Sequence, residues 1–300
     1  MEGKMQHAND NHTGLRFLSV CSGIEAASVA WNPLGWKAVA FSEIEKFPSA
    51  VLKHHYPDVP NLGDMTKYEE WPDYAIDLLC GGTPCQSFSV GGLRKGLEDP
   101  RGSLMLTYLA IARRYKPKLI VWENVVGVLS SNGGRDFGTF LGGLAECGYG
   151  FAYRILDAQF FGSAQQRRRV VVVGCLGDAT AAAKILFEQE GPAWRPTPKR
   201  TEVVSVCLTA RGPGSLDDRE TYVVDGDGVR HLTPLEHERL QGFPDNYTKI
   251  PYRGQLSADQ PRSKALGNSW AVPKFVWLGR RIQQLMPAND NQETPIANAA

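Results

Sequence analysis

Through the first 175 positions, short continuous apolar runs alternate with segments whose apolar residues recur at helical spacing. The runs predict strands at Arg16–Cys21, Ala38–Glu43, Ile76–Cys80, Leu119–Glu123, Tyr153–Ala158 and Val170–Cys175. Runs such as Leu119-Ile120-Val121-Trp122 and Val170–Val173 have no polar side, which suits parallel strands covered by helices on both faces. Between them the period predicts helices near Ala26–Leu34, Phe47–His55, Leu104–Arg114 and Phe137–Cys147. Alternating strands and helices imply a doubly wound α/β domain.

The pattern changes after Cys175. Residues 188–230 are rich in Pro, Gly, Asp and Thr and read as loops and short strands, a small second domain. A helix is expected at Pro234–Leu240, with Thr233 as N-cap and Glu236 three residues on. An amphipathic helix follows from Val272 to Met286. The resulting division is a disordered lead-in at 1–14, a discontinuous α/β domain at 15–176 and 262–286, a small domain at 177–261, and a disordered tail at 287–300.

Composition narrows this picture only by exclusion. No apolar run nears the ~20 residues of a membrane helix, and no apolar core of a signal peptide is present. The six cysteines, at 21, 80, 85, 147, 175 and 207, show no C-x-x-C spacing, and no H-E-x-x-H pair occurs. No metal site is expected, and the thiols suit a reduced, cytoplasmic protein. The formal net charge of +1 is neutral on nucleic acid, although basic residues cluster at Arg167-Arg168-Arg169 and between Arg195 and Arg200.

Candidate chemistry lies at the carboxyl ends of the expected strands, where open α/β sheets bind ligands. Leu79-Cys80-Gly81-Gly82-Thr83-Pro84-Cys85-Gln86-Ser87-Phe88-Ser89 runs from a strand into a turn that delivers Cys85. A cysteine there is either a nucleophile or a small apolar residue packed under the turn. Val121-Trp122-Glu123-Asn124-Val125 puts a carboxylate at the end of a buried strand, which is costly without a partner or a task. Gln165-Gln166-Arg167-Arg168-Arg169 precedes another buried strand. At the first strand, Cys21-Ser22-Gly23-Ile24-Glu25 leads into a helix, a weak cofactor signal with one glycine. Glu43, after the second strand, is placed to bind ribose hydroxyls, and Asp64 follows.

Pro-Cys-Gln-x-Phe-Ser, Glu-Asn-Val, Gln-x-Arg-x-Arg and a late Gly-Asn-Ser, in that order, resemble the DNA (cytosine-5) methyltransferase family, bacterial or phage type. The resemblance covers roughly residues 16–285. It implies a Rossmann-like methyltransferase domain with a small, loop-rich target-recognition domain, S-adenosylmethionine as co-substrate, and a cytosine flipped out of double-stranded DNA. In this likeness Cys85 attacks C6, Glu123 serves N3 and the exocyclic amine, Arg169 holds O2 and orients Glu123, and Arg167 fixes the catalytic loop or a phosphate. Cys21, Ser22, Gly23, Glu43, Ile44, Asp64, Met65, Pro84, Leu104, Asn268 and Trp270 form the donor site. Gln86 and Ser87 are expected at the DNA, and Arg195, Lys199, Arg200 and Arg211 either touch phosphates or guanine edges or lie on solvated loops. A monomer is expected, and a restriction endonuclease acting on the same site is the companion the family admits.

One departure stands out. The family usually opens with Phe-x-Gly-x-Gly, whereas this chain has Cys21-x-Gly23-x-Glu25. Glu25 would cap the helix or repel the donor's carboxylate end. Two rival readings remain. The tRNA-modifying branch of the family carries Cys-Phe-Thr, of which Cys207-Leu208-Thr209 is a faint echo. The other rival is a catalytically silent DNA-binding relative, against which the presence of Cys85, Glu123, Arg167 and Arg169 argues.

Overall fold

A computed structural model describes residues 14–84, 104–188, 205, 208, 221–225 and 228–286. Its centre is a six-stranded sheet of β1 (Arg16–Val20), β2 (Lys37–Ser42), β3 (Leu78–Gly81), β4 (Leu119–Val125), β5 (Tyr149–Asp157) and β6 (Arg168–Leu176), in the order β2-β1-β3-β4-β6-β5. The helices are α1 (Ala26–Trp31), α2 (Lys46–His55), α3 (Leu104–Tyr115), α4 (Arg135–Glu146), α5 (Ala179–Leu186), α6 (Pro234–Gln241), α7 (Asp259–Asn268) and α8 (Val272–Leu285).

Successive side chains leave a strand on opposite faces, and the buried residues divide accordingly. Phe17, Leu78, Cys80, Leu119, Val121, Val171 and Val173 pack on one side with α1, α5 and α8. Leu18, Val20, Leu79, Ile120, Trp122, Val170 and Val172 pack on the other with α3 and α4. Both faces are covered, as the unbroken apolar runs imply.

The sheet is mixed rather than all parallel. β1, β2, β3 and β4 run parallel, but β6 pairs antiparallel with both β4 and β5. An apolar run reports burial on both faces and carries no information on strand direction. Helix α5 buries Ala182, Ile185 and Leu186 in the sheet's core. Phe243, Tyr247, Ile250, Ala265 and Leu266 join the same core. A short alanine-rich helix gives little periodic signal, which is why the sequence pattern misses α5.

Helix α6 starts with the expected capping box: Glu236 N donates to Thr233 Oγ1 at 3.3 Å, and Thr233 N donates to Glu236 Oε2 at 2.7 Å. Before it, β7 (Tyr222–Asp225) and β8 (Gly228–His231) pair as one antiparallel unit, and after it β9 (Pro251–Tyr252) and β10 (Gln255–Leu256) form another. The expected terminal segments 1–13 and 287–300 lie outside the described residues. No described helix is long and apolar enough to cross a membrane.

Candidate active site

The turn after β1 is held in a conformation that ordinary residues avoid. Cys21, Gly23 and Glu25 have φ of 49°, 56° and 65°. Such strain persists only where surrounding contacts enforce it, and here two are visible. Gly23 N donates to Glu43 Oε2 at 2.7 Å, and Ser42 N donates to Ser22 Oγ at 3.1 Å, stitching the ends of β1 and β2 together. Glu45 N occupies the other Glu43 oxygen at 2.7 Å. Burial pushes the Glu43 carboxyl above its ordinary value despite these donors.

A cavity of about 540 Å³ opens over this turn, within the roughly 300–1,000 Å³ typical of small-molecule sites. Of the expected donor-site residues, Cys21, Gly23, Glu43, Ile44, Asp64, Met65, Pro84, Leu104 and Asn268 line it. Ser22 and Trp270 do not; they border a connected recess of about 60 Å³, together with Glu25, Gly82 and Glu123. Ser42, Pro48, Gly63 and Ala265 also line the larger cavity, and sequence reasoning missed them.

The far wall of the cavity carries the acidic and basic candidates. In the antiparallel register Glu123 faces Val171 and Val125 faces Arg169, which makes Glu123 and Arg169 diagonal neighbours on one face of the sheet. Arg169 Nε lies 3.6 Å from Glu123 Oε1, and both side chains are largely buried. Arg167 is 2% exposed and donates to the carbonyls of Leu208 (3.0 Å), Gly267 (3.0 Å) and Ser269 (2.7 Å). Those contacts spend the guanidinium on protein backbone at Leu208 and on either side of Asn268, beside the cavity.

Asn124, quoted in the Glu-Asn-Val block without a task, has one here. Its Nδ2 donates to Thr83 O at 2.8 Å, while Trp122 Nε1 donates to Thr83 Oγ1 at 3.1 Å. The end of β4 thereby fixes the turn that leads to Cys85. Gly82 is closely packed in that turn: a Cβ there would come to 3.1 Å from both Glu123 O and Trp270 Nε1. Cys85, Gln86, Ser87, Arg195, Lys199, Arg200, Arg211, Cys207 and Thr209 lie outside the described residues. Among the described residues no group of three or more His, Cys, Asp or Glu is placed to hold a metal ion.

The chain matches the family model described as C-5 cytosine-specific DNA methylase over residues 15–207 and 194–284. It belongs to that family. Among relatives, the type II methyltransferase M.HhaI of Haemophilus parahaemolyticus is 27% identical, over 90% of this chain and 94% of its own. A protein of Escherichia phage P1 named DNA N-6-adenine-methyltransferase is 33% identical over 88% of this chain, which spans only 60% of that relative's length. In fold, the crystal structure of Schizosaccharomyces pombe (S. pombe) Dnmt2 methyltransferase superposes with a TM-score of 0.71 at 18% identity, covering 91% of this chain and 99% of that one.

Against the family's Phe-x-Gly-x-Gly, the structure explains how Glu25 can stand at a glycine position. Its left-handed backbone is what a glycine would supply freely. The side chain offsets the strain by capping α1: Oε1 accepts from Ser28 N and Ser28 Oγ, both at 3.0 Å. The other oxygen, Oε2, is buried with no hydrogen-bond partner among the described residues. Burial raises the Glu25 carboxyl to about 7, although its serine hydrogen bonds pull the other way.

That shift has a sign that can be checked. Below the ordinary value of 4.5 both folded and unfolded chains keep the proton. As pH rises from 4.5 towards about 7 the unfolded chain releases it first, so stability is lost over that window. At about 1.4 kcal/mol per unit the loss comes to roughly 3 kcal/mol. Glu25→Gln, which mimics the protonated acid, should equal the parent in urea unfolding at low pH and exceed it by roughly 3 kcal/mol at pH 8. An equal difference between the two proteins at both pH values would count against the buried, proton-holding carboxyl.

Proposed function

We propose that the protein transfers a methyl group from S-adenosylmethionine to C5 of a cytosine flipped out of double-stranded DNA. The observation that carries this reading is a single cavity. It joins a ribose-type acid, Glu43, to a buried acid–guanidinium pair, Glu123 and Arg169, beside Gly82, Thr83 and Pro84, which precede Cys85 in the chain. Relatives at the identities above support it.

The residues fit the donor. Glu43 is pre-oriented by two backbone N–H groups, leaving lone pairs for ribose hydroxyls. Asp64 would take the adenine amine, with Ile44 and Met65 on either side of the ring. The methionyl end would lie towards the Cys21–Gly23 turn, Asn268 and Trp270, close to the orphaned Glu25 oxygen. A proton on Glu25 relieves the repulsion that a carboxylate there would exert on the donor's own. When bound, the donor supplies the electrophilic methyl group.

Cytosine C5 is a poor nucleophile until a thiolate adds at C6. Cys85 would form that bond while Glu123 delivers a proton to N3 and Arg169 holds O2, neutralising charge in a site shielded from water. The C5 carbon so activated would take the methyl group; loss of the C5 proton to water, departure of Cys85 as thiolate and return of the N3 proton to Glu123 then restore aromaticity. Cys21 also lines the cavity, but burial, then Glu43 and Asp64, push its thiol up to about 12, so it is no rival nucleophile. In this reading the chain acts as a monomer, the segment between Leu186 and Arg230 selects the DNA sequence, and a restriction endonuclease of the same specificity is its natural companion.

Transfer of labelled methyl to unmethylated DNA and to RNA, followed by conversion sequencing, tests the reading. Label at cytosine C5 in DNA is the expected result. Label confined to RNA selects the tRNA-type activity, and label at adenine N6 selects the activity in the phage P1 relative's name. A protein that binds the donor and labels nothing is a silent binder.

A further inference from the structure

Lys274 lies in the first turn of α8, on the face that buries Val272, Phe275, Leu278 and Ile282. It is 1% exposed, and its Nζ has no hydrogen-bond partner among the described residues. Buried lysines ordinarily reach water with the amine or spend it in a pair, because an unpaired buried charge is costly. A methionine would fill the same volume without that cost. The amine instead points at the catalytic carboxylate: Nζ lies 3.9 Å from Glu123 Oε1, an atom that is itself buried without a hydrogen bond among the described residues.

Four ionisable side chains act on Lys274 within this apolar face. Arg167 and Arg169 face it from β6 and the residue before it, Glu123 from β4 and Asp157 from β5, while the Phe275 ring lies 5.9 Å from Nζ. Burial drives the amine down from 10.5 to about 7; Glu123 and Asp157 pull it up, Arg167 and Arg169 push it down. A group near neutrality exchanges its proton readily in either direction.

We propose that Lys274 is a positioning residue that supplies the proton Glu123 delivers to the target base. This rests on the reading of Glu123 as the acid at N3. The Glu123–Lys274 pair holds one proton, as carboxylate and ammonium, while the cavity is wet. Entry of the base expels water and disfavours separated charges, so the N–H bond of Lys274 breaks and an O–H bond forms on Glu123. That O–H bond breaks in turn as N3–H forms and the Cys85 thiolate adds at C6. When Cys85 leaves, N3 returns the proton to Glu123 and Glu123 returns it to Lys274, so no proton is gained or lost along this path. The present separation exceeds hydrogen-bond length by about 1 Å, so the transfer requires the two side chains to close by that distance.

The test is single-turnover methyl transfer to DNA, with donor and DNA saturating, from pH 6 to 9, for the parent, Lys274→Met and Lys274→Arg. Lys274→Met should be slower by roughly 10²-fold at pH 7.5 and recover as pH falls, when solvent protonates Glu123 directly. Lys274→Arg keeps a cation that does not release its proton and should stay slow. Donor affinity measured in parallel should be unchanged in both. Lys274→Met with the parent's rate and pH profile overturns the proposal. So does full rescue by arginine, or a rate that falls only in step with donor affinity. A parent protein that methylates no DNA would instead overturn the functional reading beneath it.

Discussion

Cys85→Ser protein is expected to bind S-adenosylmethionine and DNA yet form no covalent complex with DNA containing 5-fluorocytosine, and its methyl transfer should fall by roughly 10⁴-fold or more. The reason is chemical. A thiol reaches its anion near neutral pH and a serine hydroxyl does not, so the substitution removes the group that adds to C6 while changing the volume by little. Fluorine at C5 cannot leave as a proton, so the parent enzyme should stall as a protein–DNA adduct visible in a denaturing gel. Cys147→Ser is the matched control: Cys147 caps α4, its Sγ 3.8 Å from Leu109 O, far along the chain from the Pro84 turn. An adduct that survives Cys85→Ser, or that vanishes with Cys147→Ser, would move the nucleophile elsewhere. Cys80 and Cys175 offer little alternative, since both are buried in the sheet and burial raises both thiols.

How much of this was legible beforehand depends on the kind of information a residue carries. The strand runs are continuous because both faces of the sheet are covered, so each of β1 to β6 could be located to within a few residues. Their directions could not be read, and the direction of β6 matters most. Only the antiparallel register of β4 and β6 makes Glu123 and Arg169 neighbours on one face. The two residues were named from their motifs; their adjacency is a property of the pairing. Lys274 was invisible for a different reason. In a sequence pattern a lysine on an amphipathic helix counts as a solvent-facing residue, and here it occupies the buried face at α8's first turn. Asn124 lay within a quoted motif, but its hydrogen bond to Thr83 joins chain positions 41 residues apart, beyond any local signal. The capping role of Glu25 is legible in the sequence, because a carboxylate at a helix start has a local physical reason.

Arg167→Met is expected to destabilise the fold by about 3–5 kcal/mol, and by more than its loss of apolar contact could explain. The guanidinium is the shared donor for three carbonyls drawn from distant parts of the chain: Leu208, before the β7–β8 pair, and Gly267 and Ser269, which flank Asn268 at the end of α7. Methionine fills the space but donates nothing, so buried carbonyls lose their partner, each at a cost of about 1–3 kcal/mol. Ser269 O keeps a second donor, Gln241 Nε2 at a long 3.5 Å. The fork geometry should matter as much as the charge, so Arg167→Lys should recover only part of the loss. Urea unfolding at constant slope measures both variants. Donor affinity should fall with stability, because the same carbonyls hold the turn that carries Asn268 to the cavity. A stable Arg167→Met protein with weakened DNA binding and an unchanged donor site would instead place the guanidinium's work at the phosphate backbone.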